Sequence, residues 1–252
     1  MTWTGDPIWL ADVLRDAGLH VIEHEGWRDR GHGDFADLRG VLCHHTAGGG
    51  PDDWRTVQYG RPDLEGPLAQ LVLEGDGTYR VIAAGICWHA GRGSWPGWPT
   101  NNANYHVIGI EAVSRGDGTD WTSAQLDAYK RGCAAILRRI DRTAADCVAH
   151  REYSSEGKSD PAGIGMDEFR RDVQAFIDGE DAPMSAAEVA EIKELITAVC
   201  GPISSDVKDI REQLCGQAQR DSGQYAGWPQ LNNRTVVDAL ADIYARLEHL
   251  EH

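Results

Sequence analysis

The chain has no long apolar run and few basic residues for its acidic content. Nowhere do about 18 apolar residues follow one another without charge, so no membrane insertion is expected. The 24 Lys and Arg residues stand against 40 Asp and Glu residues, a formal net charge of −16. This acidic balance argues against nucleic-acid binders, which gain affinity by neutralising phosphates. The first residues also lack the basic and apolar regions of a signal peptide, so no targeting segment is expected there.

The cysteines form neither a CxxC pair nor the dense framework of small secreted domains. Six of them are spread singly along the sequence, at positions 43, 87, 133, 147, 200 and 215. We expect reduced, mostly buried thiols, and a disulfide between Cys200 and Cys215 stays open as an alternative.

The periodicity of apolar residues predicts an α/β domain with a central mixed β-sheet flanked by helices. Apolar runs predict strands at residues 40–44, 105–113 and 148–150, and a hairpin around Asp76-Gly77 joins two more. Amphipathic spacing predicts helices over residues 7–18, 122–140 and 167–177. Asp6-Pro7 provides the start signal of the first helix, and a capping box over Thr122–Gln125 provides that of the second.

A second, helical module is expected after a boundary at residues 179–183. We place the catalytic domain at residues 1–180, with its core at about 37–178, and the module at 184–252. A capping box at 185–188 opens the module, Gly201-Pro202 should break or kink its first helix, and Gly227-Trp228-Pro229 marks a turn before its last. Its apolar stripes predict packing on each other or on a second copy, hence a possible homo-oligomer. The role we favour for the module is cell-wall binding, with Tyr225, Trp228 and residues 231–234 as a carbohydrate-contact surface.

Two histidine positions and an aspartate have the spacing of a zinc site. The pair His44-His45 ends an apolar run, and His150 precedes Asp160 by ten residues. Two imidazoles and one carboxylate leave a fourth tetrahedral position for water, as in catalytic zinc sites. Adjacent strand residues point to opposite faces, so only one of His44 and His45 can face the metal. The set indicates a hydrolase.

Four motifs in order resemble the zinc N-acetylmuramoyl-L-alanine amidases of the amidase-2 and peptidoglycan-recognition superfamily. They are Val41-Leu-Cys-His-His-Thr-Ala-Gly48, Trp88-His-Ala-Gly91, Ile108-Gly-Ile-Glu111, and His150 followed by Lys158-Ser-Asp160-Pro161. The likeness covers roughly residues 37 to 178, and the four motifs together are far more specific than any one alone. A departure is Ala162-Gly163 after Pro161, where the family often continues directly with glycine.

The resemblance implies a role for each matching residue. It assigns Zn²⁺ to His44, His150 and Asp160, which leaves His45 to the core, and it places Trp88, His89 and Asn104 along the substrate groove. Glu111, at the end of a strand beside the metal, is the candidate base, since burial would raise its pKa. Lys158 is the candidate for stabilising the oxyanion. Some relatives have a tyrosine where Pro67-Leu-Ala-Gln-Leu71 stands here.

The implied activity is cleavage of the amide bond between N-acetylmuramic acid and L-alanine in bacterial peptidoglycan. With Trp3–Pro7 and Gly31–Phe35, the whole chain most resembles endolysins of phages that infect actinobacteria. This likeness implies accumulation in the host cytoplasm, release by a separate membrane-permeabilising protein, and attack on the cell wall. A non-catalytic peptidoglycan-binding protein of the same fold and a different zinc peptidase are the alternatives, although the His-Glu-x-x-His peptidase motif is missing.

Overall fold

The computed structural model describes residues 5–179, 186–215 and 227–248. The chain divides into two compact units, residues 1–183 and residues 184–252, which are treated separately. Within the described ranges, no helix has both the length and the apolar character needed to cross a bilayer.

The first unit alternates strands with helices. Its strands are β1 (Val21–Glu23), β2 (Gly40–His45), β3 (Gly60–Arg61), β4 (Leu64–Glu65), β5 (Leu71–Leu73), β6 (Tyr79–Val81), β7 (Val107–Ala112) and β8 (Cys147–Ala149). Its helices are α1 (Leu10–Asp16), α2 (Asp53–Tyr59), α3 (Ser123–Arg139), α4 (His150–Tyr153) and α5 (Met166–Asp178).

Six strands form one mixed sheet in the order β1-β6-β5-β7-β2-β8, while β3 and β4 pair separately. Within the six-stranded sheet of the described residues only β5 and β6 pair antiparallel, as the arms of the hairpin around Asp76-Gly77. The Asp76 carboxylate accepts a hydrogen bond from the Thr78 amide at 2.9 Å, and Gly77 takes φ 87°, a conformation that glycine adopts without strain. The predicted mixed sheet, flanked by helices, is confirmed.

Helix α3 packs against α1 and α5, and with them it buries the main core on the sheet. Thr122 caps α3 by accepting the Gln125 amide at 3.0 Å, as the capping box predicts. The Gln125 side chain does not complete the box. It is fully buried and donates instead to the carbonyl oxygens of Leu73 and Val113, which satisfies strand ends that water cannot reach.

The predicted start of α1 is wrong by several residues. Pro7 and Asp6 accept hydrogen bonds from Leu10 and Ile8 in a turn, and the helix begins only at Leu10. Trp9, the residue before the helix, provides no side-chain cap. The position of α1 is therefore determined by the burial of Leu10 and Leu14 and not by local start signals.

Four cysteines of the first unit are buried free thiols, as predicted. Cys43 lies in the core with its sulfur 3.8 Å from that of Cys133 and 3.7 Å from that of Cys147. All three side chains are inaccessible to solvent, so they behave as small apolar residues. In the second unit Cys200 is an exposed free thiol. The side chain of Cys215 lies outside what the structure describes.

The second unit contains the helices α6 (Ala186–Cys215) and α7 (Val236–Glu248), with a 3₁₀ turn at Pro229–Leu231 between them. Of the two predicted effects of Gly201-Pro202, the break is wrong, because α6 continues through Pro202, while the kink stays a prediction. A proline removes one backbone hydrogen bond but keeps a helical φ, so the flanking bonds can carry the helix across it. Ser185, the first residue of the predicted second capping box, and Tyr225 lie outside the described residues.

Candidate metal centre and active site

Three side chains converge at the carboxyl-terminal edge of the sheet. His44 Nδ1 lies 3.0 Å from His150 Nδ1, and each of these nitrogens lies 3.0 Å from Asp160 Oδ2. The three residues are almost fully buried, at 1%, 4% and 8% exposure. The sequence-predicted ligand set therefore comes together as one compact cluster of potential ligand atoms.

Parallel strand pairing explains why two distant histidines meet. Strand β2 pairs with β8 so that Cys43 lies opposite Ala149, and the next residues are His44, still in β2, and His150, the first residue of α4. Asp160 lies on a loop that hydrogen bonds from Arg151 hold in place. The Arg151 amide donates to the Asp160 carbonyl at 2.9 Å, and its guanidinium donates to the carbonyl oxygens of Pro161 and Ile164. Sequence reasoning missed Arg151.

The outer nitrogens of the two rings are also engaged. His150 Nε2 lies 3.0 Å from the Ala90 carbonyl oxygen, which can only accept, so this nitrogen carries a proton. His44 Nε2 lies 3.1 Å from His89 Nδ1. Metal-binding histidines commonly donate their second ring N–H to a carbonyl or another acceptor in this way, which fixes the ring and its tautomer.

The electrostatics of the cluster favour ligand-ready protonation states. Burial, and then the neighbouring His150, lowers the pKa of His44 to about 4, so its ring is neutral near pH 7. Burial alone would raise the pKa of Asp160, but the hydrogen bonds with His150 and His44 bring it well below its ordinary value. An ionised carboxylate therefore faces neutral imidazole nitrogen.

This donor set fits a zinc ion. Two ring nitrogens and one carboxylate oxygen lie within 3.0 Å of one another, so a shared proton or a cation is needed to offset the repulsion between their lone pairs. Zinc accepts such ligands at roughly 2.0–2.2 Å with a tetrahedral preference, and three donors leave a position for water.

Glu111 lies beside the cluster on the neighbouring strand. It is the register partner of His44 between β2 and β7, and residues at paired positions project to the same face of a sheet. Its Oε2 is buried without a hydrogen-bond partner among the described residues. Burial, and then the charge of Asp160, raises the pKa of Glu111 to about 8, although Lys158 partly opposes this.

His45 points away from the cluster, as strand alternation requires. Its Nδ1 accepts a hydrogen bond from the Ala162 amide at 3.2 Å. This contact holds the loop after Asp160 from the other side. It gives His45 a structural partner, in agreement with its expected place outside the ligand set.

A cavity of about 390 Å³ opens next to the cluster. It is lined by Leu64, Trp88, His89, Gly91, Asn104, Glu156 and Lys158. The structure thus brings Lys158, which is exposed, and the three predicted groove residues to one opening.

The predicted groove residues Trp88, His89 and Asn104 also make contacts within the protein. The Asn104 side-chain oxygen accepts the His89 and Ala90 amides at 3.0 and 2.8 Å, and Trp88 stacks on His32 at 4.5 Å between ring centroids. The His89 ring packs on Gly109, where a Cβ would come within 2.9 Å of it. Gly109, in the motif that ends at Glu111, was the available sequence signal for this contact.

Comparison with known families and structures gives the following matches. The family model described as N-acetylmuramoyl-L-alanine amidase matches residues 34–163, just over half of the chain. A second model, described as the Rv3766 C-terminal domain, matches residues 172–250. A search of curated proteins finds no match.

Several solved structures are similar at low identity. AmpDh3 from Pseudomonas aeruginosa, in complex with an anhydromuramic pentapeptide, is 21% identical over 64% of this chain and 68% of that one, with a TM-score of 0.45. AmiD from E. coli is 20% identical over 61% of this chain and 62% of that one, with a TM-score of 0.43. LysC from Clostridium intestinale is 16% identical over 60% of this chain and 95% of that one, with a TM-score of 0.43.

Membership is decided by the family match, which spans both histidines of the cluster, Glu111 and Asp160. The chain belongs to the N-acetylmuramoyl-L-alanine amidase family.

Proposed function

We propose that the first unit is a zinc-dependent amidase that cleaves the bond between N-acetylmuramic acid and L-alanine in peptidoglycan. The observation that carries this proposal is the triangle of His44, His150 and Asp160, whose ligand atoms lie 3.0 Å apart beside an open cavity. The complete donor set argues against the alternative of a non-catalytic binding protein.

Zinc held there would supply Lewis acidity and a bound water of lowered pKa. The protein's own part is to keep the donors unprotonated and fixed. Ala90 holds the His150 ring through Nε2, and His89 holds the His44 ring in the same way. Arg151 fixes the loop that carries Asp160.

Glu111 is proposed as the general base. Its buried, unpartnered Oε2 can take a proton from the attacking water and return it to the leaving amine. Its pKa of about 8 in the metal-free protein lies in the range where such a carboxyl exchanges protons near neutrality. A bound cation would lower this pKa, since it favours the carboxylate.

Lys158 is proposed to stabilise the negative charge that develops on the scissile carbonyl oxygen. Its ammonium group is exposed at the cavity, two residues from Asp160, where a substrate carbonyl can reach it. Trp88 offers an aromatic face for the substrate, while His89 and Asn104 shape the cavity wall.

We also propose, from the resemblance to endolysins, that the enzyme serves host lysis by a phage. It would collect in the host cytoplasm and reach the wall once a separate protein has permeabilised the membrane. For the second unit, wall binding and self-association were both predicted. The indole N–H of Trp228 donates to the Gln213 carbonyl at 2.9 Å, so the polar atom of this ring already has a partner within the second unit.

Product mapping tests the proposed reaction. Purified actinobacterial wall is digested with the full chain, and new amino termini and reducing sugars are measured. The proposal expects new L-alanine amino termini without new reducing ends, and no new amino termini for His150→Ala. New termini at another residue would indicate a peptidase, and binding without products would indicate the non-catalytic alternative.

A further inference from the structure

Helix α6 carries an aliphatic stripe that is exposed in the single chain. Seven residues along it are between 44% and 59% exposed: Ile192, Ile196, Val199, Ile203, Val207, Ile210 and Leu214. At 100° per residue all seven lie within about 40° of the direction of Ile203. The stripe is narrow, continuous and about 33 Å long at 1.5 Å per residue.

Helix α7 does not provide enough cover for this surface. The two helices pack within the second unit, yet α7 itself exposes Val237, Leu240, Ile243 and Tyr244 at 54% to 66%. Contiguous exposed apolar surface of this extent marks an interaction site in soluble proteins. The stripe is purely aliphatic, whereas sugar-binding surfaces present aromatic faces. Its chemistry therefore fits another apolar helix better than a wall glycan.

The spacing of the stripe suits pairing with an identical helix. Its intervals are 4, 3, 4, 4, 3 and 4 residues, an eleven-residue repeat that keeps the apolar seam almost straight along the helix. Two such stripes placed face to face would bury on the order of 1,200 Å², the lower end of stable specific interfaces.

The charged residues beside the stripe favour a parallel over an antiparallel orientation of two paired α6 helices. In the sequence of residues 186–215, a period of 100° per residue puts the acidic positions 188 and 206 about 60° to one side of Ile203, and the basic positions 193 and 211 about 80° to the other side. In a parallel pair in register, the two different flanks face each other across the seam, so acid meets base. An antiparallel pair would bring each flank against its own kind.

We propose that the protein is a two-fold symmetric dimer in which the α6 helices of two copies pair in parallel and in register. Each stripe residue then faces the same residue of the second copy, with Ile203 near the middle of the seam. Two amidase units on one particle would raise the effective affinity for a polymeric wall.

Light scattering of the full chain tests the association. Wild type is expected at twice the mass of the chain. Ile203→Asp places two carboxylates in the seam and is expected to shift the mass to that of one chain. Ala198→Asp is the matched control, since Ala198 is exposed about 140° away from Ile203, and it should remain a dimer. A single-chain mass for wild type, or a dimer that survives Ile203→Asp, would overturn the proposal.

Cross-linking tests the orientation without relying on a disruptive substitution. In a Cys200→Ser, Cys215→Ser background, Ile192→Cys and Leu214→Cys should each form covalent dimers under mild oxidation, and Ala198→Cys should not. These two stripe positions are about 33 Å apart along the helix, so an antiparallel pair would cross-link only in a mixture of both variants. That outcome, or wall binding by α6 in a single-chain protein, contradicts the parallel dimer.

Discussion

Replacing Glu111 with glutamine should stabilise the metal-free protein, and increasingly so as the pH rises. The reason is the environment of the carboxyl group, which is buried with an unpartnered Oε2 beside Asp160. Burial disfavours the charged form, so folding raises the pKa of Glu111 from 4.5 to about 8. Glutamine keeps the shape of the side chain and removes the charge.

The sign follows from proton linkage. Between pH 4.5 and about 8 the folded state holds a proton at Glu111 that the unfolded state has released, so the free energy of unfolding falls as pH rises. Each unit of pKa shift corresponds to about 1.4 kcal/mol, so the full advantage of Glu111→Gln is about 3–5 kcal/mol. It is absent below pH 4.5 and constant above about pH 8.

Denaturant unfolding of chelated protein between pH 4.5 and 8.5 measures this advantage. Tryptophan fluorescence reports mainly on the first unit, because only Trp228 among nine tryptophans lies in the second. Glu25→Gln, at an exposed glutamate, is the matched control, and the Glu111→Gln advantage is measured relative to it at each pH. Adding zinc should shrink the Glu111→Gln advantage, because a cation favours the carboxylate. A pH-independent difference for Glu111→Gln would refute the reasoning.

Three further substitutions separate the remaining roles. His89→Ala removes the partner of His44 Nε2 and should weaken zinc affinity by about 10- to 100-fold, as measured by chelator competition; unchanged affinity would dismiss this contact. Lys158→Met should lower kcat by about 10²–10³-fold while zinc content stays at one per chain, and an effect confined to KM would make Lys158 a binding residue only. Arg151→Met leaves the carbonyl oxygens of Pro161 and Ile164 without their donor and should lower the free energy of unfolding by about 1–3 kcal/mol; a smaller loss would mean that the guanidinium bonds are not needed to hold the loop.

The main features of the sheet were predictable from the periodicity of apolar residues, whereas the full ligand set rested on the spacing of His44, His150 and Asp160 and on the resemblance in the four motifs. Apolar runs mark β2 and β7, and carboxyl ends of parallel strands meet at one edge, which brings His44 and Glu111 together. Alternation along β2 then separates His44 from His45. The separation of His44 from His45 needs only the two-residue period of a strand, while the roles of His150 and Asp160 needed the motifs as well.

Contacts set by tertiary packing were not predictable. No sequence pattern around Arg151 indicates that it holds the Asp160 loop, because its acceptors are backbone carbonyl oxygens that folding brings near. Gln125 satisfies a capping pattern in sequence, yet buried strand carbonyls take its side chain. The start of α1 and the passage of α6 through Pro202 likewise show packing and cooperative helix bonds overriding local signals.

The central claim is that a zinc ion bound by His44, His150 and Asp160 makes this chain an amidase, and a zinc titration of chelated enzyme tests it most directly. Release of L-alanine amino termini from purified wall is followed while zinc is added in steps. Activity should rise linearly and stop rising at one zinc per chain, and Asp160→Asn should show neither tight binding nor recovery. Full activity before any zinc is added, or recovery by Asp160→Asn equal to wild type, would contradict the account.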